Sequence, residues 1–276
     1  MLLAALCSSS MNAMIRGTSA ELHAFEIAFF RNLFGLVALV PMLLRAGAGS
    51  LKTSRFALHG LRGVLNAVAM LSFFYAVSIT PLAEVAALAF TSPLFATILA
   101  ALVLRDRVGP RRIIGLLVGF AGALVIIRPA TSGLSLGAGL IILSSVAWAA
   151  ALVDIKILSR TETSLSITVY AALFLTPITL VAAIPFWQWP SLTQLLVLAV
   201  IGSLGSVTQM SIAQALRHGD TSQVMPADFT KLVWASLIGW LAFAEIPDVW
   251  VIVGGCMICG SVAYIAYRES RQRLAA

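Results

Sequence analysis

Tyr75-Ala76-Val77-Ser78-Ile79-Thr80-Pro81-Leu82-Ala83-Glu84-Val85 has a counterpart 139 residues further on, Gln214-Ala215-Leu216-Arg217-His218-Gly219-Asp220-Thr221-Ser222-Gln223-Val224. Ala76 falls on Ala215, Glu84 on Gln223 and Val85 on Val224. The same offset puts Phe95 on Trp234, Asp106 on Glu245 and Gly115 on Gly254. Half of the 276 residues is 138, so the repeat spans the chain and divides it into two similar halves. Identities are sparse, and the repeat is carried by hydropathy and a few polar positions.

Composition sets the solvent. Sixty per cent of the residues are hydrophobic, 11% are charged, and the mean hydropathy is +1.00. A soluble domain of this size carries about 25% charged residues, so the polar surface needed to coat a water-soluble globule is missing. The apolar runs are about 18–24 residues long and show no period-2 alternation, which points to membrane helices rather than a barrel. The pattern predicts ten helices at 1–16, 23–44, 57–79, 82–104, 110–127, 135–158, 164–186, 192–215, 221–243 and 248–267. Turn chemistry marks the breaks, as at Thr80-Pro81, Gly109-Pro110, Gly219-Asp220 and Pro247-Asp248. The loops are too short for a soluble domain. Thr131-Ser132-Gly133 separates a first unit, 1–130, from a second, 135–268. Five helices per unit is an odd number, so the units run in opposite senses across the bilayer. The expected fold class is an all-α membrane protein of ten transmembrane helices in two inverted five-helix repeats. Such duplication is the mark of transporters, whose halves rock about a central site.

Basic residues test the orientation. With the N-terminus cytoplasmic, the inner loops and tail hold Arg45, Lys52, Arg55, Arg105, Arg107, Arg111, Arg112, Lys156, Arg160, Arg217, Arg268, Arg271 and Arg273. The outer loops hold Arg16 and Arg128, a ratio of 13 to 2, with Arg31, Arg62 and Lys231 inside helices. Both termini are therefore expected in the cytoplasm. The net charge of +7 is explained by this bias and does not call for a nucleic-acid partner. The run Phe186-Trp187-Gln188-Trp189-Pro190 suits the outer interface. The chain begins inside its first helix, whose first turn or two and basic flank are expected upstream. Cys256-x-x-Cys259 lies in an apolar, glycine-rich helix and reads as packing rather than redox chemistry. Gly115, Gly119 and Gly122, with Gly254, Gly255 and Gly260, could serve packing within the bundle or a homodimer contact.

Ionisable groups inside a bilayer are costly and stand out as candidates for function. Asp228 and Lys231 in Pro226-Ala227-Asp228-Phe229-Thr230-Lys231 share one helix face at i,i+3. They form either an internal lock or a pair that a zwitterionic substrate opens. Glu26 lies near the outer interface and Arg31 about two turns inside the second helix, where they form a structural pair or Arg31 binds an anionic group. Glu84 opens the fourth helix, where it either caps the helix or titrates at an outer gate. Asn12, Asn66, Gln209 and Gln214 either glue helices or line a cavity, with Asn66 and Gln209 assigned to the cavity. Tyr75, Phe90, Trp148, Tyr170 and Trp234 either pack or form an aromatic cage for a cation. His23, His59 and His218 are scattered near helix ends, and no histidine, cysteine and carboxylate cluster has metal spacing. No Gly-x4-Gly-Lys loop is present, so energy must come from gradients rather than ATP. No cofactor and no enzymatic activity are expected.

Phe25-Glu26-Ile27-Ala28-Phe29-Phe30-Arg31, Thr91-Ser92-Pro93-Leu94-Phe95 leading to Arg105-Asp106, and Asp228…Lys231…Gly239-Trp240…Glu245 together resemble the EamA-type permeases of the drug/metabolite transporter superfamily. The resemblance covers the whole chain. Leu22-His23 through Arg31, Leu51-Lys52-Thr53-Ser54-Arg55 and His59-Gly60-Leu61-Arg62-Gly63 resemble, within it, bacterial S-adenosylmethionine uptake transporters. Ala227-Asp228-Phe229 departs from the aromatic and arginine that such a transporter shows before the ninth-helix acid. The resemblance implies a central cavity from the first, third, fourth, sixth, eighth and ninth helices, with the fifth and tenth as scaffold. Its substrate-binding candidates are Asp228, Lys231, Asn66, Tyr75, Glu84, Phe90, Trp148, Gln209 and Trp234, with Asn12 beside them. Glu26 and Arg31 are gating or supporting residues. The implied function is secondary active transport of a small polar or zwitterionic metabolite across the bacterial inner membrane. S-adenosylmethionine is the leading substrate. Export of amino acids or drugs, or riboflavin-type import, is the alternative. A proton or a counter-substrate would couple the cycle.

Overall fold

The computed structural model describes residues 2–46, 53, 55–104, 110–128, 135–158, 161–162, 164–218 and 230–274. Among the described residues the secondary structure is helical, without strands. The helices are α1 (Leu2–Thr18), α2 (Ala24–Ala46), α3 (Phe56–Ile79), α4 (Leu82–Ala89), α5 (Ser92–Leu104) and α6 (Pro110–Ile127). They continue with α7 (Leu136–Leu158), α8 (Ser164–Ala183), α9 (Leu192–His218), α10 (Thr230–Phe243) and α11 (Val249–Leu274). The spans Phe56–Ile79, Leu82–Val103, Leu136–Ile155 and Ser166–Phe186 are long and apolar enough to cross a membrane. The chain is a multi-pass membrane protein.

Helix ends follow local chemistry. Thr80 stands before Pro81 in extended backbone (φ −128°, ψ 142°), which stops α3. The segment 82–104, predicted as one helix, is broken at Phe90-Thr91, and the reason is Pro93. Proline has no N–H for the Ala89 carbonyl, so the ladder tightens before it. Phe90 N–H donates to the Ala87 carbonyl (3.3 Å) and Thr91 N–H to Leu88 (3.0 Å). The Thr91 hydroxyl donates to the same Leu88 carbonyl at 2.7 Å. The segment 164–186 ends its α-helix at Ala183 and closes with a 3-10 turn, Ile184–Phe186, at Pro185. Of the predicted ninth helix, 221–229 lie outside the described residues.

Cross-chain packing has a regular pattern. The extensive contacts are α3 with α7, α6 with α11, α1 with α9, α2 with α8 and α9, and α3 with α8. Further contacts join α5 with α7, α1 with α10, and α4 with α10. A shared core runs through them, with Ile15, Ile27, Leu88, Leu94, Ile141, Leu198 and Ile258 fully buried.

The α6–α11 contact uses the glycines. A Cβ on Gly254 would sit 2.5 Å from the Gly122 carbonyl oxygen, and one on Gly122 would sit 2.7 Å from that of Gly254. Ser261 adds a hydroxyl bond to the Gly115 carbonyl. These small residues therefore serve packing inside the bundle. Gly254→Val should force the two backbones apart and destabilise the fold by about 1–3 kcal/mol. The variant should melt well below wild type in detergent, while Gly260→Ala, with open space around it, should melt as wild type does.

Candidate functional site

One end of the bundle is tied by polar contacts. Arg16, at the end of α1, forms an ion pair with Glu245 and donates to the Thr80 carbonyl. Its guanidinium also lies over the Phe243 ring, 5.3 Å from the centroid. Glu245 Oε2 accepts the Leu82 N–H at 3.0 Å, so the first N–H of α4 is satisfied by a carboxylate from the α10–α11 connection. Glu84, expected to cap or sense there, stands in the first turn of α4 and is attracted by Arg128. Arg128 in turn pairs with Asp248.

A second group at this end is aromatic. The His23 imidazole stacks on Phe186 (3.8 Å between centroids, 7° between planes), with Phe25 and Tyr75 beside it. Its Nδ1 accepts the Phe25 N–H at 3.3 Å. A cavity of about 500 Å³ opens here, lined by Ser19, Glu21, His23, Phe186, Trp187 and Gln188. None of the nine expected substrate-binding residues lines it.

Glu26 and Arg31 do not pair, which corrects one reading of the second helix. Positions i and i+5 point to different sides of a helix. Glu26 is fully buried, and its Oε1 accepts the Gln188 N–H at 3.0 Å. Arg31 donates to Asn32 Oδ1 at 3.0 Å and lies against Gly205 of α9. Asn32 donates onward to Met70 and to Thr179 of α8.

At mid-depth, several helices present polar atoms that lack a hydrogen-bond partner among the described residues. Asn12 Oδ1, Arg31 Nε, Asn66 Oδ1 and Thr208 Oγ are such atoms. Each costs about 1–3 kcal/mol when left unpaired in a dry interior, so a polar guest would relieve it. Asn66 is buried on α3, as expected of a lining residue. Ser9 on α1 donates to the Lys231 carbonyl at 3.3 Å, which brings the start of α10 against α1. Trp234 is half-buried on α10, Phe90 is buried at the α4–α5 break, and Trp148 is 39% exposed on α7. Tyr75 joins the His23 cluster, whereas Tyr170 stacks on His59 towards the opposite end (4.5 Å). The rings imagined as one cage thus separate. Asp228 and the side chains of Gln209 and Gln214 lie outside the described residues.

The opposite end holds a cluster that the sequence reading left aside. Asp154 on α7, Arg62 and His59 on α3, and Glu162 beyond α7 come together there. Asp154 and His59 are buried, as is Arg62, which donates to the Ile167 carbonyl of α8 at 2.6 Å. Asp154 had a visible signal, a carboxylate four residues inside the end of an apolar run. Asn32 and Thr208 had only a weak one, since single neutral polar residues are common in membrane helices.

Among the described residues the chain is an all-helical membrane bundle with polar interior atoms left without partners and polar ties at one end. The chain belongs to the EamA-like transporter family, whose model matches it twice, at residues 1–128 and 135–267. It is 31% identical over 270 residues to the S-adenosylmethionine uptake transporter of Rickettsia prowazekii, covering 98% of this chain and 92% of that one. It is 33% identical over 277 residues to the riboflavin transporter of Vibrio cholerae, covering 99% and 93%. It is 34% identical over 276 residues to the pseudopaline exporter CntI of Pseudomonas aeruginosa, covering 98% and 95%. A protein solved by crystallography shares the fold with a TM-score of 0.67 at 18% identity, covering 98% and 96%.

Burial holds the His23 imidazole below its ordinary value of 6.5. The neutral ring is the one that stacks on Phe186 and accepts from Phe25. Its stabilisation is full above 6.5 and is lost as pH falls through the lowered folded-state value. Melting measured against pH should therefore drop on acidification in wild type and drop less in His23→Phe.

Proposed function

We propose that this protein is a secondary active transporter that carries a small polar or zwitterionic metabolite by alternating access. The observation that carries the reading is the family match over both halves of the chain. The chain is read as ten transmembrane helices in two inverted five-helix repeats, 1–130 and 135–268. Exchange of the halves turns the α3–α7 contact into α9–α1, α2–α9 into α8–α3, and α1–α10 into α7–α5, all of which occur. The contacts α6–α11 and α2–α8 map onto themselves. This correspondence supports the duplication. The 13-to-2 distribution of basic residues supports cytoplasmic termini, with the bacterial inner membrane as the location. Arg16, Glu245 and the His23 cavity then face outward.

S-adenosylmethionine is the proposed substrate, on the strength of full-length similarity to proteins named for its uptake. Lys231 would bind its carboxylate and Asp228 its ammonium, exchanging one partner for another so that no charge is left bare. Asn66, Gln209, Phe90, Trp148 and Trp234 would line the rest, with Tyr75 and Glu84 towards the outer mouth and Glu26 and Arg31 supporting α2. Export is the second reading, because the similarity to a pseudopaline exporter is as extensive. A proton or a counter-substrate would drive either direction.

Counterflow into liposomes loaded with unlabelled S-adenosylmethionine tests the proposal. Labelled substrate should accumulate with wild type and fail to do so with the Asp228→Asn/Lys231→Gln double variant at equal melting temperature. A well-folded double variant with full transport would remove that pair from the site. Absence of accumulation in folded wild type would reject the substrate.

A further inference from the structure

The cluster between α3, α7 and α8 has three properties together. It is dry: His59 is 0% exposed, Asp154 4% and Arg62 9%. It is unsatisfied: Asp154 Oδ2, Arg62 Nε and both His59 nitrogens lack a hydrogen-bond partner among the described residues. It is charged: Arg62 and Asp154 stand on the two helices of the α3–α7 contact, near enough to attract one another but without a direct ion pair.

Packing alone does not ask for these groups. At the offset of 139, His59 maps to Leu198, Arg62 to Ile201, Asp154 to Ile15 and Ile167 to Ala28. All four counterparts are apolar and 0% exposed, in the matching contact of α9 with α1 and α2. A slip of one residue towards the N-terminus would substitute Met14 and Ile27, and one towards the C-terminus Arg16 and Phe29. At the offset of 139 the same contact is therefore filled with hydrocarbon in one copy and with ionisable groups in the other. Buried charge adds little stability over a hydrophobic filling, so a role beyond packing is indicated.

We propose that Asp154, held opposite Arg62 where α3 meets α7 and α8, is the proton-binding site that couples transport to a proton gradient. The inference rests on the transporter reading above. The groups are too enclosed to admit a metabolite, while a proton needs no cavity. With Asp154 ionised, its attraction to Arg62 clamps the first half, through α3, to the second, through α7. A proton added to Oδ2 cancels that attraction. Arg62 keeps its bond to the Ile167 carbonyl of α8, so protonation loosens the tie of α3 to α7 specifically.

Among the described residues the charged and titratable surroundings are few. On α3 they are His59 and Arg62, with Arg55 just before its first turn, on α8 Tyr170, and beyond α7 Glu162, which accepts from Thr53 at 2.6 Å. Lys156 shares α7, its side chain outside the described residues, and α5 contributes no titratable group among its described residues. The charges of α2 near this end reduce to exposed Arg45, and Glu84 of α4 lies at the other end.

Infrared difference spectra of the purified full-length protein, stepped through neutral pH, test the site without any substrate. A carboxylic-acid band should appear on acidification in wild type, shift in Asp154→Glu and vanish in Asp154→Asn. A band unchanged by both substitutions, or no band in wild type, overturns the proposal. Transport supplies the second test, with labelled S-adenosylmethionine as probe. Asp154→Asn should lose pH-gradient-driven accumulation at least about tenfold while counterflow stays within about twofold of wild type. Equal loss of both modes at unchanged melting temperature would make the cluster a structural clamp and sink the coupling role. Wild type that performs counterflow but ignores the pH gradient overturns coupling and leaves the transporter standing. No counterflow in wild type would reject the substrate, and the infrared result would still decide the proton site.

Discussion

A polypeptide in hydrocarbon has no water to satisfy its N–H and C=O groups, and the architecture here follows from that constraint. Long helices answer it locally. Departures occur where the protein can cover them. Pro93 breaks the ladder at Phe90-Thr91, and the freed turn is closed by short backbone bonds and the Thr91 hydroxyl. Both Phe90 and Thr91 are buried, so the break meets neighbouring helices rather than lipid. Pro177 lies inside α8 without breaking it, with the Thr176 and Thr179 hydroxyls bonded to carbonyls one turn back.

The same constraint sorts the side chains. Polar groups near helix ends find partners across the bundle, as Arg16 does with Glu245 and Glu26 with the Gln188 N–H. These contacts join elements from both halves of the sequence. On the outward assignment they hold the outer end together. Polar groups deeper down, on Asn12, Asn66 and Thr208, have atoms without a partner among the described residues. An incompletely satisfied middle rewards a polar guest.

Much of this was legible in the chain. Uninterrupted apolar runs and their turn residues located most helices within a few positions, because length and hydropathy dominate in lipid. The break at Phe90 was signalled by Pro93, but the apolar run read straight through it. The mismatch of Glu26 with Arg31 is a matter of helical phase, and the true partner, the Gln188 backbone, lies 162 residues away. Backbone partners have no residue signature. Asp154 was visible as a charge, but its environment depended on the packing of α3 against α7, which no local pattern encodes.

Duplication gives both halves one packing scheme, so on the proposed repeat the informative positions are those where the halves disagree. Arg31 corresponds to Tyr170, Asn66 to Gly205, and Asp154 to Ile15. These divergences are not independent. A Cβ on Gly205 would stand 3.0 Å from Arg31 Nε, so the loss of a side chain in one half makes room for a cation from the other. Arg62 likewise lies in the first half and Asp154 in the second. Each charged group at mid-depth or in the dry end cluster is thus accommodated by a residue of the opposite half. Relative motion of the halves would change the surroundings of every one of them at once. Substrate, proton and conformation can then be linked by electrostatics alone, without a dedicated moving loop.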